Sequence, residues 1–198
     1  MIVLRFTGEG EIFYKQERIG KENKPFNMLK FATMLKGSLN MPLGTTTIVN
    51  DPRVTRVGKI LRKTKINELP QLFNVILGDI SIVGPRPLPN NEFQLYHPDV
   101  QQVLASIRPG ITGIGSVIFR DEEGVIQRNG PYNPKDYYEK VILPYKGELE
   151  LWYSKNMSFY NDMKILSATV ASLFISNSNI GYRFFKSLPK RPKNIRFD

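Results

Sequence analysis

The chain has 198 residues and no cysteine, a single histidine (His97) and a single tryptophan (Trp152). Without cysteine there are no disulfides, no thiolate nucleophile and no cysteine-ligated zinc, and nothing points to an oxidising compartment. One histidine argues against a His-cluster metal site or a Ser-His-Asp triad. No stretch approaches the roughly 20 apolar residues of a bilayer-spanning helix; the longest strongly apolar run lies around Leu166 to Ser176. The opening MIVLRFTGEG reads as neither signal peptide nor membrane anchor. Acidic residues are the scarcer charge: 18 against 28 basic ones, a net charge of +10. That surplus suits anionic partners such as nucleic acid, anionic lipid or phosphorylated substrates, or simply a basic, soluble surface.

What is present is the composition of a folded protein, 41% hydrophobic and 23% charged, long enough for one domain with a substantial core. Residues Ile12 to Arg18 alternate and are followed by a Gly20-to-Pro25 break and an apolar run from Phe26 to Phe31, the pattern of a β-hairpin. Leu35 to Asp51 reads as a loop. Thr55 to Arg62 has helical spacing with basic residues between. Asn67 is expected to cap a helix running to about Leu77 and closing at Gly78. Ile80 to Val83 reads as a short strand and Gly84-Pro85-Arg86-Pro87 as an extended loop. A helical stretch from Asn91 to Ile107, interrupted at His97-Pro98, leads to a turn and a strand-like run ending at Phe119. Asn133-Pro134 opens another helix, expected to break at Pro144, and Ser158 caps a long amphipathic helix reaching about Ile175. The chain is expected to be α+β: a helix-rich single domain (1–185) with short strands and an N-terminal β-hairpin, followed by a basic, mobile tail (186–198).

The chemistry concentrates in the middle. Arg53, Arg56, Lys59, Arg62, Lys63 and Lys65 precede Glu68, and Asp79 and Arg86 follow it. Arginine's planar fork matches phosphate oxygens, and the start of the Asn67 helix is expected to add free backbone donors. A carboxylate beside a diphosphate calls for a bridging divalent ion, so Glu68 is a candidate Mg2+ ligand. The plainer alternative makes Asn67 a cap, Glu68 a dipole-favoured surface residue and the arginines one solvated face.

The run Lys63-Thr64-Lys65-Ile66-Asn67-Glu68-Leu69-Pro70-Gln71-Leu72-Phe73-Asn74-Val75, continuing through Gly78-Asp79-Ile80-Ser81-Ile82-Val83-Gly84-Pro85-Arg86-Pro87, resembles the signature of the bacterial sugar transferases, the monotopic phosphoglycosyl transferases. Tyr14 to Gly20, Lys30-Phe31-Ala32-Thr33-Met34, Asp51 to Gly58 and Arg108-Pro109-Gly110-Ile111-Thr112-Gly113 fit the same pattern, so the resemblance covers most of residues 10–170. It implies transfer of a sugar-1-phosphate from a nucleotide (UDP) sugar to undecaprenyl or another polyprenyl phosphate, initiating exopolysaccharide, O-antigen or glycoconjugate synthesis. The family's Asp-Glu pair implies a covalent phosphosugar on the Asp and magnesium on the Glu. Carried onto this chain, Asn67 stands at the nucleophile position, Glu68 holds magnesium, and Lys30, Arg53, Arg62, Arg86 and Arg108 bind substrate. The implied setting is the cytoplasmic face of the bacterial inner membrane, peripheral in this form, with other glycosyltransferases as candidate partners.

Three departures from the pattern follow. Asn67 replaces the nucleophilic aspartate, so the missing acid is expected from the Phe119-to-Glu123 segment, either Asp121 or Glu122; the same segment also reads as an exposed acidic turn. Ala32 replaces a basic residue of the Lys30-to-Met34 segment. The family's N-terminal hydrophobic helix is not seen, so the start is truncated or other surfaces dock, the Ser158-to-Ile175 helix and basic tail among them. Two other readings compete: a catalytically inactive relative acting as a nucleotide-sugar-binding or scaffold protein, favoured by Asn67, and a nucleic-acid binder. The second lacks a recognised module, and its aromatics do not interleave with its basic residues.

Overall fold

The computed structural model describes residues 10–38, 51–130, 133–174 and 180–197. They fall into two compact units, one drawn from Met1–Glu17 with Asn27–Gly78 and the other from Arg18–Phe26 with Asp79–Asp198. The architecture is helix-rich α+β, with short strands beginning in a hairpin of β1 (Phe13–Ile19) and β2 (Pro25–Phe31). The open end of the hairpin belongs to the first unit and its tip to the second.

In the first unit, Thr55 caps α1 (Arg56–Lys63), its hydroxyl accepting from the Gly58 N–H at 2.9 Å. Gly58 is required by packing: a Cβ there would stand 2.2 Å from the Thr33 carbonyl oxygen. The chain then turns through a left-handed Lys65 (φ 60°) and a 3-10 turn at Ile66–Glu68 before α2 (Gln71–Leu77). The expected helix from Asn67 is therefore shorter. Pro70, not Asn67, precedes the α-helix, and the Glu68 and Leu69 N–H groups are spent on the Lys65 and Ile66 carbonyls. The free donors expected at that helix start are already used.

In the second unit, β3 (Ser81–Val83) pairs in parallel with β4 (Gly110–Thr112). The strand expected to run to Phe119 stops at Thr112, where α5 (Ile114–Ile118) begins. Between the strands lie α3 (Asn90–Phe93) and α4 (Pro98–Ser106), separated at His97 as expected. After α5 come α6 (Glu122–Asn129), α7 (Pro134–Tyr137), a π-turn at Tyr138–Ile142 and α8 (Leu143–Lys155). Pro144 does not break the chain: residues 137 and 142–143 keep helical dihedrals, and the wider π-turn at Tyr138–Ile142, with the Leu143 N–H reaching back to the Tyr138 carbonyl, comes directly before the proline, which cannot donate. Helix α9 (Phe159–Phe174) and α10 (Ile180–Phe184) complete the order.

The core gathers Ile114, Ile118, Ile142, Leu149 and Ile165, each at most 2% exposed. Burial of each such side chain is worth roughly 1.5–3 kcal/mol. The basic C-terminal segment, expected to be mobile, is packed in this unit. Ile195 and Phe197 are buried, the Arg191 guanidinium lies over the Tyr182 and Phe197 rings at 4.4 and 4.7 Å, and Asn129 brackets the Arg196 backbone with two hydrogen bonds. Two apolar side chains among the cations hold down a segment that charge alone would leave in water.

Candidate functional site

Several candidate residues of the first unit are brought together around the Lys30-to-Met34 segment. Asn74, 1% exposed on α2, accepts from the Leu29 N–H at 3.0 Å and donates to the Asn27 carbonyl at 2.9 Å, so its side chain completes the outer edge of β2. Lys30 follows on that strand, half-buried. Thr33 is buried; its carbonyl accepts from the Thr55 N–H at 3.0 Å and its hydroxyl accepts from Arg62 Nε at 2.9 Å. Strand, α1 and Arg62 thus form one frame. Arg53 serves that frame too: it is 3% exposed, clasps the Asp51 carboxylate through Nε and Nη2 at 2.9 and 2.7 Å, and donates from Nη1 to the Ser38 carbonyl. A guanidinium so engaged holds the Asp51-to-Val54 turn.

Asn67 is 9% exposed and its side-chain oxygen has no hydrogen-bond partner. A buried amide oxygen without a donor is costly and marks a position where a ligand can supply the missing contact. The adjoining Glu68 is half-buried, and among the described residues no cation pairs with its carboxylate. Amide and carboxylate oxygens are both hard donors of the kind magnesium takes, and among the described residues no cluster of three or more acidic or histidine side chains adds to them.

In the second unit, the Arg86 and Arg108 loops lie side by side. The Ser81 N–H donates to the Pro109 carbonyl at 2.7 Å and the Gly110 N–H to the Pro85 carbonyl at 2.8 Å. This crossing is why position 110 is glycine: a Cβ would stand 2.2 Å from the Gly84 nitrogen. Arg86 and Arg108 are both exposed on the joined loops. The two acids proposed from sequence diverge. Asp121 is exposed and pairs with Arg128 at 3.1 Å. Glu122 pairs with the buried Lys146 at 2.5 Å, and Lys146 also lies over the Phe119 and Tyr138 rings.

Sequence reasoning missed what lies one turn along α8 from Lys146. Glu150 is fully enclosed, its Oε2 has no partner, and burial pushes its carboxyl up to about 7 against the pull of Lys146. The signal was a Lys-x-x-x-Glu pair on a helix whose neighbours Leu143, Tyr145 and Leu149 are core residues. His97 stays on the surface beside Asp99, and Asp162 accepts a hydrogen bond from Tyr153.

The bacterial sugar transferase family model matches residues 1–176. An uncharacterised sugar transferase of Haemophilus influenzae is 38% identical over 81% of the chain and 33% of its own length. The undecaprenyl-phosphate galactose phosphotransferase of Salmonella typhimurium is 36% identical over 81% of the chain and 33% of its length. The exopolysaccharide production protein ExoY of Rhizobium meliloti is 33% identical over 90% of the chain and 77% of its length. The chain thus spans about a third of the length of the Haemophilus and Salmonella relatives. With the match covering its hairpin, its Asn67-Glu68 turn and both arginine loops, the chain belongs to the bacterial sugar transferase family.

Proposed function

We propose that this chain is a phosphoglycosyl transferase moving a sugar-1-phosphate from a UDP-sugar to undecaprenyl or a related polyprenyl phosphate at the cytoplasmic membrane surface. The observation that carries the proposal is the orphaned Asn67 oxygen beside the unpaired Glu68 in the family's active-site turn. In this reading Glu68 and the Asn67 oxygen would hold Mg2+, which when bound neutralises diphosphate charge. In the first unit Arg62 and Lys30 are proposed to bind phosphate, and in the second unit Arg86 and Arg108 are proposed as a phosphate-binding pair on their joined loops. Arg53, committed to Asp51, is proposed to position its turn.

A neutral amide at position 67 does not attack phosphorus, so the covalent route needs a carboxylate from the Asp121-Glu122 pair. One of its oxygens bonds to the β-phosphorus. The bridging P–O bond to the α-phosphate breaks, and UMP leaves with the electron pair. A polyprenyl phosphate oxygen then attacks the same phosphorus, frees the carboxylate and carries the phosphosugar away as a polyprenyl diphosphosugar. Initiation of exopolysaccharide, O-antigen or glycoconjugate synthesis is the setting this product fits, with other glycosyltransferases as consumers.

The second reading, a nucleotide-sugar-binding scaffold, draws on Asn67 itself. A release assay separates the two: the chain is incubated with UDP-sugars and magnesium, with and without polyprenyl phosphate. UMP released stoichiometrically without acceptor supports the covalent route, and loss of that burst in Asp121→Asn or Glu122→Gln assigns the acid. UMP only with acceptor rejects the covalent step, and none under either condition favours the scaffold.

A further inference from the structure

The two acids open to the covalent route are held differently. Glu122 is engaged by the buried Lys146. The Asp121 Oδ2 accepts from Arg128 Nη2 at 3.1 Å, both side chains being exposed, and among the described residues its Oδ1 has no hydrogen-bond partner. Against that carboxylate lies Gly124, where a Cβ would stand 2.2 Å from Oδ2. Gly124 is inside α6 and has no left-handed φ, so the helix itself does not call for glycine, which costs stability there relative to alanine. The missing side chain is what lets Asp121 fold along the helix to Arg128. The same Nη2 that holds Asp121 donates to the Phe197 carbonyl at 2.8 Å, so residues 186–197 reach the acid through one guanidinium nitrogen. That segment is fixed by other contacts too. Asn129 bonds Arg196 in both directions, the Tyr137 hydroxyl donates to the Asn194 carbonyl at 2.9 Å, and the Phe197 ring packs on Phe119 with centroids 5.3 Å apart. The segment lies beyond residues 1–176, the part matched by the family model.

We propose that residues 186–197 form a strap that positions Asp121, rather than Glu122, as the acid that accepts the phosphosugar, acting through Arg128 and the opening at Gly124. The inference rests on the proposed function, whose covalent route needs an acid outside position 67. Forming a phosphosugar on Glu122 would take a carboxylate away from a buried lysine, whose charge is costly to leave uncompensated. Asp121 faces an exposed guanidinium that water also serves, so its carboxylate is the cheaper one to use. With one oxygen anchored and the other open, it keeps a fixed direction while staying free to bond to phosphorus. Arg128 and Gly124 act through Asp121, so they are positioning residues. Changing them is expected to slow turnover without weakening UDP-sugar binding.

The test uses the full chain in two arms. Without substrate, amide hydrogen exchange read by mass spectrometry is expected to quicken roughly fivefold or more over residues 119–125 in Arg128→Ala and in Asn129→Ala, because each removes bonds between the strap and α6. The second arm follows UMP release with magnesium, undecaprenyl phosphate and UDP-glucose or UDP-galactose. Gly124→Ala is expected to lower kcat roughly tenfold or more, with KM for the UDP-sugar within about twofold. Its melting temperature should not fall, since alanine is the better helix former, so a purely structural role would not produce this result. Arg128→Ala is expected to show the same kcat loss, and Arg128→Lys, which keeps a cationic donor there, to recover most of it. Wild-type kcat in Gly124→Ala, a loss carried by KM instead, or release abolished by Glu122→Gln but not by Asp121→Asn overturns the proposal. So does unchanged exchange in both strap variants, whatever the activity. Quickened exchange with no UMP from the wild type would remove the proposed function and leave the strap, and UMP release with unchanged exchange would remove the strap alone.

Discussion

Helix α2 buries an asparagine and a glutamine and turns its leucines outward, whereas α8 buries a lysine and a glutamate inside an apolar core. In α2 the buried amide replaces a missing strand: Asn74 supplies β2 with the donor and acceptor that a neighbouring backbone would give. In α8 the buried charges are only partly satisfied. Lys146 has Glu122 and two rings, while Glu150 keeps an oxygen without a donor. Buried polarity therefore fixes a helix's facing in the first unit and creates a titrating group in the second.

Removing the amide should break the comparison most sharply. Asn74→Ala leaves the Leu29 N–H and Asn27 carbonyl without partners and is expected to cost about 2–4 kcal/mol in urea unfolding. A loss under about 0.5 kcal/mol would mean that the amide does not hold the helix. For Glu150, a native pKa of about 7 lies above the unfolded value near 4.5, so the folded state binds the extra proton. Stability is then fullest below the unfolded value, falls as pH rises towards 7 and levels off beyond it, a decline of roughly 3 kcal/mol. Glu150→Gln is expected to flatten that slope and to raise stability at pH above 7, read by thermal melts across pH. Lys146→Met removes the cation that lowers the Glu150 pKa, so the decline should finish at higher pH. The smallest effect belongs to the outward face: Ile76→Gln is expected to change stability by less than about 0.5 kcal/mol.

Much of this was legible in the sequence. The alternation of β1 and β2, the helical spacing from Thr55 to Arg62 and the Ser158 cap gave the hairpin, α1 and α9 within a residue or two, because each is set by local pattern. The turn at Asn67 was misread because two local signals disagree. Asparagine favours a cap, but the left-handed Lys65 and Pro70 delay the α-helix to Gln71. Arg53 read as a phosphate ligand because nothing in its spacing reveals that Asp51, two residues earlier, folds back onto it. The partnership of Glu122 with Lys146 spans 24 residues and leaves no periodic trace. Apolar residues on α2 gave the helix but not its facing, since sequence periodicity does not say which stripe points inward once an asparagine can bond to a strand.

The family's active-site turn makes one claim above the others: Glu68 acts with a divalent ion on a diphosphate. UMP release from UDP-sugars in the presence of polyprenyl phosphate, followed across a magnesium titration for the wild type and Glu68→Gln, tests it most directly. The expected result is magnesium-dependent release by the wild type and at least a roughly hundredfold loss in the variant, with its melting temperature unchanged. Equal release by both proteins would contradict the assignment.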